Sequence, residues 1–179
     1  GAHATTKACL ELLLALADEG EASGPLADWG TGSAVLAIAA AKLGWDPVTG
    51  LDHEVAAVEA AVENARRNGV DVAVRRLNLR EELPPASPVV VANLLTPLLV
   101  ELAARMEVGA IEAPRTLVLS GLLATEADRV RAVVEPVGLL DRVRAAFEPV
   151  GLRVQTTVIE GEWAALLLRG GGPADRSGG

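Results

Sequence analysis

An α/β fold, with a mostly parallel, doubly wound sheet of seven strands and a C-terminal antiparallel hairpin, follows from three features of this sequence. Short apolar runs of strand character alternate with longer segments of helical period, the pattern of a parallel sheet joined by crossover helices. One run, Val89–Ala92, is continuously apolar and rich in valine, as a strand covered on both faces must be. The last two runs, Arg153–Ile159 and Glu162–Arg169, flank Glu160-Gly161, which reads as a β-hairpin.

Each element has a local reason. Thr5 and Thr6 offer hydroxyl caps before a helix over Lys7–Asp18, whose Leu10, Leu13, Leu14 and Ala17 share one face. Gly20–Pro25 is a loop, and Leu26–Trp29 a short strand running into Gly30-Thr31-Gly32. Ser33–Leu43 reads as a helix so apolar that it must be buried on most sides. Pro47–Leu51 is the second strand. Glu54–Asn68 is a helix with Val55, Val58, Ala61, Val62 and Ala65 on one stripe, and Gly69 stands where a C-terminal glycine belongs. Val72–Leu77 is the third strand, Pro84-Pro85 marks a loop, and Val89–Ala92 is the fourth strand. Thr96-Pro97 opens a helix reaching Met106, with proline at its favoured first turn. Arg115–Leu119 is the fifth strand and Thr125–Glu135 a helix before the hairpin. Residues 1–169 form the domain; Gly170–Gly179 (GGGPADRSGG) has the composition of a flexible tail.

One internal repeat interrupts this alternation. Asp128–Leu139 (DRVRAVVEPVGL) returns 13 residues later as Asp141–Leu152 (DRVRAAFEPVGL), differing only at Val133/Ala146 and Val134/Phe147. Two short copies cannot stack into a solenoid. A local tandem duplication over 128–152, adding a helical segment broken at Pro136, is the plain reading.

Composition excludes several functions. The chain has 179 residues, half of them hydrophobic and 22% charged, enough for one well-packed domain. With no tyrosine, one phenylalanine and three tryptophans, it lacks the aromatic platforms that stack nucleic-acid bases. A net charge of −8 opposes broad binding to phosphate backbones and suits basic partners. One cysteine rules out an internal disulfide or a cysteine-rich zinc site, and Cys9, among leucines, reads as a buried small hydrophobe. The expectation is no metal, no nucleic acid and no membrane span, with neither a signal peptide nor a transmembrane segment, in a cytoplasmic protein.

The chemistry concentrates in Asp28-Trp29-Gly30-Thr31-Gly32-Ser33, a glycine loop between a strand and a helix. A dinucleotide fingerprint starting at Gly30 would need glycine where Val35 stands, and no G-K-[ST] triplet opens the helix. An acid two residues before the first glycine would repel a pyrophosphate. It can instead accept from an ammonium group or organise the loop. The ligand therefore reads as a nucleoside with a cationic amino-acid end. Asp52, at the end of the second strand and 22 residues after Gly30, is placed to accept both ribose hydroxyls.

These residues resemble class I AdoMet-dependent methyltransferases, Rossmann-like in fold. More closely, they resemble the methyltransferases of large-subunit ribosomal protein eleven (the PrmA family). Gly1-Ala2-His3-Ala4-Thr5-Thr6 with Cys9-Leu10 is similar to that family's G-x-H-x-T-T-x-x-C-L. Asp28–Ser33 with Val35–Ala40 is similar to D-x-G-x-G-[ST]-G-x-L-A-I-A-A, Val90–Leu95 to V-V-A-N-I-L, and Gly161-Glu162-Trp163 to its terminal E-W strand. The resemblance implies S-adenosyl-L-methionine as cofactor and N-methylation of a protein's amino groups, with a basic ribosomal protein as candidate substrate. It implies cofactor contacts at Thr6, Asp28, Gly30, Gly32, Asp52, His53, Asn78 and Asn93. Thr6 would reach the methionine carboxylate, His53 would line the rim, and Asn78 would meet the adenine edge. Asn93, through its side-chain oxygen, and Leu94, through its carbonyl, would serve the incoming amine. A neutral acceptor suits that role, because a carboxylate would raise the amine's pKa and hold it in the unreactive ammonium form. Departures from the family pattern are Ala34 at its third glycine, His53-Glu54 after the ribose-binding acid, and the duplication. The family's N-terminal substrate-recognition domain precedes the point where the resemblance begins. Two other readings are an AdoMet-binding domain without catalysis, and a methyltransferase of a small molecule or another protein.

Overall fold

The computed structural model describes residues 2–123 and 138–171. Within them, helix α1 (Ala2–Asp18) leads into β1 (Leu26–Trp29), α2 (Val35–Leu43), β2 (Val48–Asp52), α3 (Val55–Arg67) and β3 (Ala73–Arg76). There follow β4 (Val89–Asn93), α4 (Thr96–Glu107), β5 (Thr116–Leu123), α5 (Leu139–Phe147), β6 (Leu152–Glu160) and β7 (Trp163–Gly170). The seven strands form one sheet in the order β3-β2-β1-β4-β5-β7-β6. All pairings from β3 to β5 are parallel, whereas β7 is antiparallel to both β5 and β6. The expected fold class is therefore present, hairpin included.

Two cores cover the two faces of the sheet, and the strands divide their side chains between them with period two. In β4, Val89 and Val91 join α1, α2 and α3, while Val90 and Ala92 join α4 and α5. All four are buried, as the continuous apolar run requires. The second copy of the duplication becomes α5, which seats Val143 and Phe147 against β5 and β6. The first copy up to residue 137, like the helix expected over Thr125–Glu135 and nearly all the tail, lies outside the described residues.

Two helices turn differently from expectation. Helix α1 begins at Ala2, so Thr5 and Thr6 lie within it rather than before it. Its buried stripe is Thr5, Ala8, Cys9, Leu12, Leu13 and Leu16, and Leu14 faces outward at 49% exposure. The segment is apolar nearly all round, and the stripe spaced three and four residues apart buries more side chains than the expected face of Leu10, Leu13, Leu14 and Ala17, of which only Leu13 is fully buried. On α3 only Ala61 and Ala65 are fully buried, with Val55 and Val62 half exposed. Small residues let this helix lie close to the sheet, and the valines flank the contact.

The α2 entrance shows why its third loop position favours glycine. Ala34 is fully buried with φ of +66°, in the left-handed region where a Cβ is crowded. Glycine there would relieve about 1–2 kcal/mol of backbone strain, against about 0.8 kcal/mol for the buried methyl and a similar entropic cost. Ala34→Gly should accordingly be close to neutral. Ala40→Gly, at an equally buried position inside α2, should cost about 2 kcal/mol. Paired denaturant titrations check this, and equal losses at both positions would contradict the strain argument.

Candidate active site

The strand order reverses between β1 and β4, and the crevice at their carboxyl ends is where an open α/β sheet receives ligands. A cleft of about 510 Å³ lies there, lined by the loops that follow β1, β2, β3 and β4. Gly30, Gly32, Asp52, His53, Asn78, Asn93 and Leu94 all line it. Residues from 30 to 94 thus converge on one site.

The glycine loop is held from below and from the side. Gly30 and Thr31 donate their N–H groups to the Leu51 carbonyl at 2.8 and 2.9 Å. The Thr31 hydroxyl donates to Asp28 Oδ2 at 2.7 Å, and the Ala37 N–H donates to the same oxygen at 3.2 Å. Asn64 reaches over from α3 to donate to the Ser33 carbonyl at 2.9 Å. Gly30 has a φ of +75°, in the left-handed region that favours glycine, and a Cβ there would stand 2.4 Å from Cδ2 of Leu94. That contact brings the β1 loop against the β4 loop.

Asp52 closes the loop from the other side. Its Oδ2 accepts from the Gly32 N–H at 2.9 Å, and its Oδ1 from the Glu54 N–H at 3.0 Å. Each carboxylate oxygen retains further acceptor capacity toward the cleft. His53 is exposed beside it, with Nδ1 3.6 Å from Asp52 Oδ1. Asn78 caps the next loop: its Oδ1 accepts from the Arg80 N–H, and its own N–H donates to Glu82 Oε1. Leu51, Leu77, Leu79, Leu95 and Leu98 supply apolar walls.

Two residues read from sequence as cofactor contacts are absent from the lining. Asp28 lies beneath the loop at 1% exposure, with Oδ1 unpartnered and Oδ2 spent on Thr31 and Ala37. Burial pushes its carboxyl up to about 6, opposed by those two hydrogen bonds and assisted by the negative charge of Asp52. Of the two roles its position allows, the geometry favours organising the loop. Thr6 is half-buried on α1 outside the cleft, while its neighbour Thr5 is buried and meets Asn93.

Three positions carry weight that sequence reasoning missed. Thr5 Oγ1 accepts from Asn93 Nδ2 at 3.4 Å. At Gly121, with φ of +85°, a Cβ would fall 2.4 Å from the Leu94 carbonyl oxygen, so β5 must bulge with glycine there. A glycine inside an apolar strand run was the available signal. Arg105 of α4 donates to the Leu79 and Glu82 carbonyls and braces the loop after β3. No sequence spacing reveals such a contact.

The cleft's donors and acceptors suit a nucleoside ligand with a polar tail: a carboxylate at the end of β2, apolar walls for a base, and a glycine turn that admits close approach. Comparison with known proteins gives the family. The family model described as ribosomal protein L11 methyltransferase (PrmA) matches residues 1–170. A protein of that name from Azotobacter vinelandii is 44% identical over 138 residues, covering 75% of this chain and 45% of the relative. Another from Pseudomonas aeruginosa is 42% identical over 134 residues, covering 74% and 44%. The chain thus spans less than half the length of these relatives. Among solved structures, a ribosomal protein L11 methylase from Lactobacillus delbrueckii subsp. bulgaricus superimposes with a TM-score of 0.70 at 25% identity, over 88% of this chain and 76% of that one. Magnesium protoporphyrin IX methyltransferase from Synechocystis, solved with bound SAH, shares the fold with a TM-score of 0.68 at 19% identity, over 92% and 82%. With a family model matched along nearly its whole length, the chain belongs to the ribosomal protein L11 methyltransferase (PrmA) family.

Proposed function

We propose that this domain binds S-adenosyl-L-methionine in the cleft and catalyses methyl transfer to amino groups of a protein, a basic ribosomal protein of the cytoplasm being the substrate. The observation carrying this reading is the convergence of Gly30, Asp52 and Asn93 at the switch point of the sheet. When bound, the cofactor supplies a methyl group on a sulfonium, a leaving group already activated by its charge. Little acid–base machinery is then needed, and alignment carries most of the catalysis. Asp52 offers its carboxylate to ribose hydroxyls, and the glycine loop lets the backbone approach. Asn93 and the Leu94 carbonyl present neutral acceptors that orient an amine without stabilising its protonated form. Among the described residues no helix is long and apolar enough to cross a membrane. The net charge of −8 favours a basic substrate.

Calorimetric titration with S-adenosyl-L-methionine and its demethylated product tests the cofactor. Transfer of a labelled methyl to purified ribosomal protein L11 tests the reaction. A folded sample that binds neither nucleoside would overturn the proposal, and binding without transfer to any protein would reduce it to a cofactor-binding domain. Asn93→Ala should lower kcat roughly tenfold, the loss of one orienting hydrogen bond. An unchanged kcat would remove Asn93 from the reaction.

A further inference from the structure

Thr5 departs from the stripe it belongs to. Ala8, Cys9, Leu12, Leu13 and Leu16 fill the α1 face with apolar groups, yet one turn earlier stands a hydroxyl at 3% exposure. Valine would fill the same volume, so packing does not ask for the oxygen. The oxygen meets Asn93, 88 residues further along the chain, accepting its Nδ2–H at 3.4 Å. The same turn of α1 is tied to β5, since the Ser120 hydroxyl donates to the Thr5 carbonyl at 3.2 Å. Opposite Asn93 in the β4–β5 register stands Ser120 itself. The helix end is thereby anchored on the two strands that present the acceptor side of the cleft.

We propose that Thr5 is a positioning residue for Asn93, holding the amino end of its carboxamide against α1 so that the carbonyl oxygen is the end left to face an incoming amine. This rests on the role given to Asn93 above. The torsion about an asparagine's carboxamide is broad and nearly two-fold, so the group needs a partner to choose one orientation. The choice matters chemically. With its oxygen toward the amine, the carboxamide accepts an N–H and leaves the nitrogen lone pair free. With its nitrogen toward the amine, it donates into that lone pair and occupies the electrons needed for attack.

Thr5→Val removes the oxygen at nearly constant shape, and Thr5→Ser keeps it. The Asn93 side-chain amide resonances, identified by their disappearance in Asn93→Ala, report the contact directly in a 15N-labelled protein. In Thr5→Val these resonances should shift and lose protection from solvent exchange. With S-adenosyl-L-methionine and purified ribosomal protein L11, kcat should fall three- to fivefold, while the calorimetric Kd for the cofactor stays within twofold. Thr5→Ser should restore both readouts. Unchanged Asn93 resonances in Thr5→Val overturn the proposal, as does a lower kcat that Thr5→Ser fails to restore. If the wild-type chain transfers no methyl group, the functional reading fails, and the resonances still decide whether Thr5 holds Asn93. Should Thr5→Val melt before measurement, Thr5→Ala against Thr5→Ser gives the same comparison.

Discussion

Asp52→Ala is expected to weaken binding of S-adenosyl-L-methionine by on the order of a hundredfold. Two losses combine. A carboxylate placed for ribose hydroxyls supplies hydrogen bonds to a charged acceptor, each worth about 1.5–3 kcal/mol. The same carboxylate also accepts the Gly32 and Glu54 N–H groups, so its removal frees the far side of the glycine loop as well. Asp52→Asn separates the two effects. Its one carbonyl oxygen can keep a backbone N–H but cannot serve both the loop and a pair of hydroxyls, so it should bind with intermediate affinity. Calorimetry with the demethylated cofactor measures all three proteins without turnover. If Asp52→Ala bound the nucleoside as tightly as the wild type, the ribose assignment would be lost, whatever its effect on stability.

The contrast between Asp52 and Asp28 shows where sequence reasoning reaches and where it stops. Both are acids at the carboxyl end of a strand, next to a turn, and both read as ligand contacts. Their strand positions were legible because β1 and β2 end where the apolar runs end. Whether a side chain points up into the crevice or down beneath the loop depends on the loop's own path. That path is set by Thr31 and Ala37 turning inward onto Asp28. The sheet was legible for a similar reason: Val89–Ala92 can be nothing but a central strand, and the hairpin announces itself at Gly161. The rotation of α1 was not, because a segment apolar on nearly every side leaves the choice of face to the partner surface. Contacts such as Thr5 to Asn93 and Gly121 to Leu94 join positions far apart in the chain, so only the assembled sheet brings them together.

Asp28 also makes the stability of this domain depend on pH in an unusual direction. Its carboxyl is fully buried and pushed from an ordinary value of 3.8 up to about 6, so the folded state holds the proton more tightly than the unfolded chain. The stabilisation from that proton is fully present only below the ordinary value of 3.8 and is lost as pH rises through 6. At pH 7.5 the difference amounts to about 3 kcal/mol, at 1.36 kcal/mol per pKa unit. Asp28→Asn keeps a carbonyl oxygen for the Thr31 hydroxyl and the Ala37 N–H but cannot ionise. The unfolding free energy of the wild type minus that of Asp28→Asn should therefore decrease by about 2.4 kcal/mol between pH 4 and pH 7.5, the remainder of the effect falling below pH 4. Taking the difference cancels the opposite trend of Glu21 and Glu63, whose carboxyls are held below their usual range by Arg169 and by Arg66 with Arg67. A difference that stays flat across this range would mean that Asp28 titrates alike in the folded and unfolded chain. The buried carboxylate, unpartnered at Oδ1, would then cost the fold nothing near neutral pH. A decrease of the expected size would instead identify a cost near neutral pH that the fold bears at the base of its glycine loop, where the same oxygen fixes both Thr31 and the start of α2.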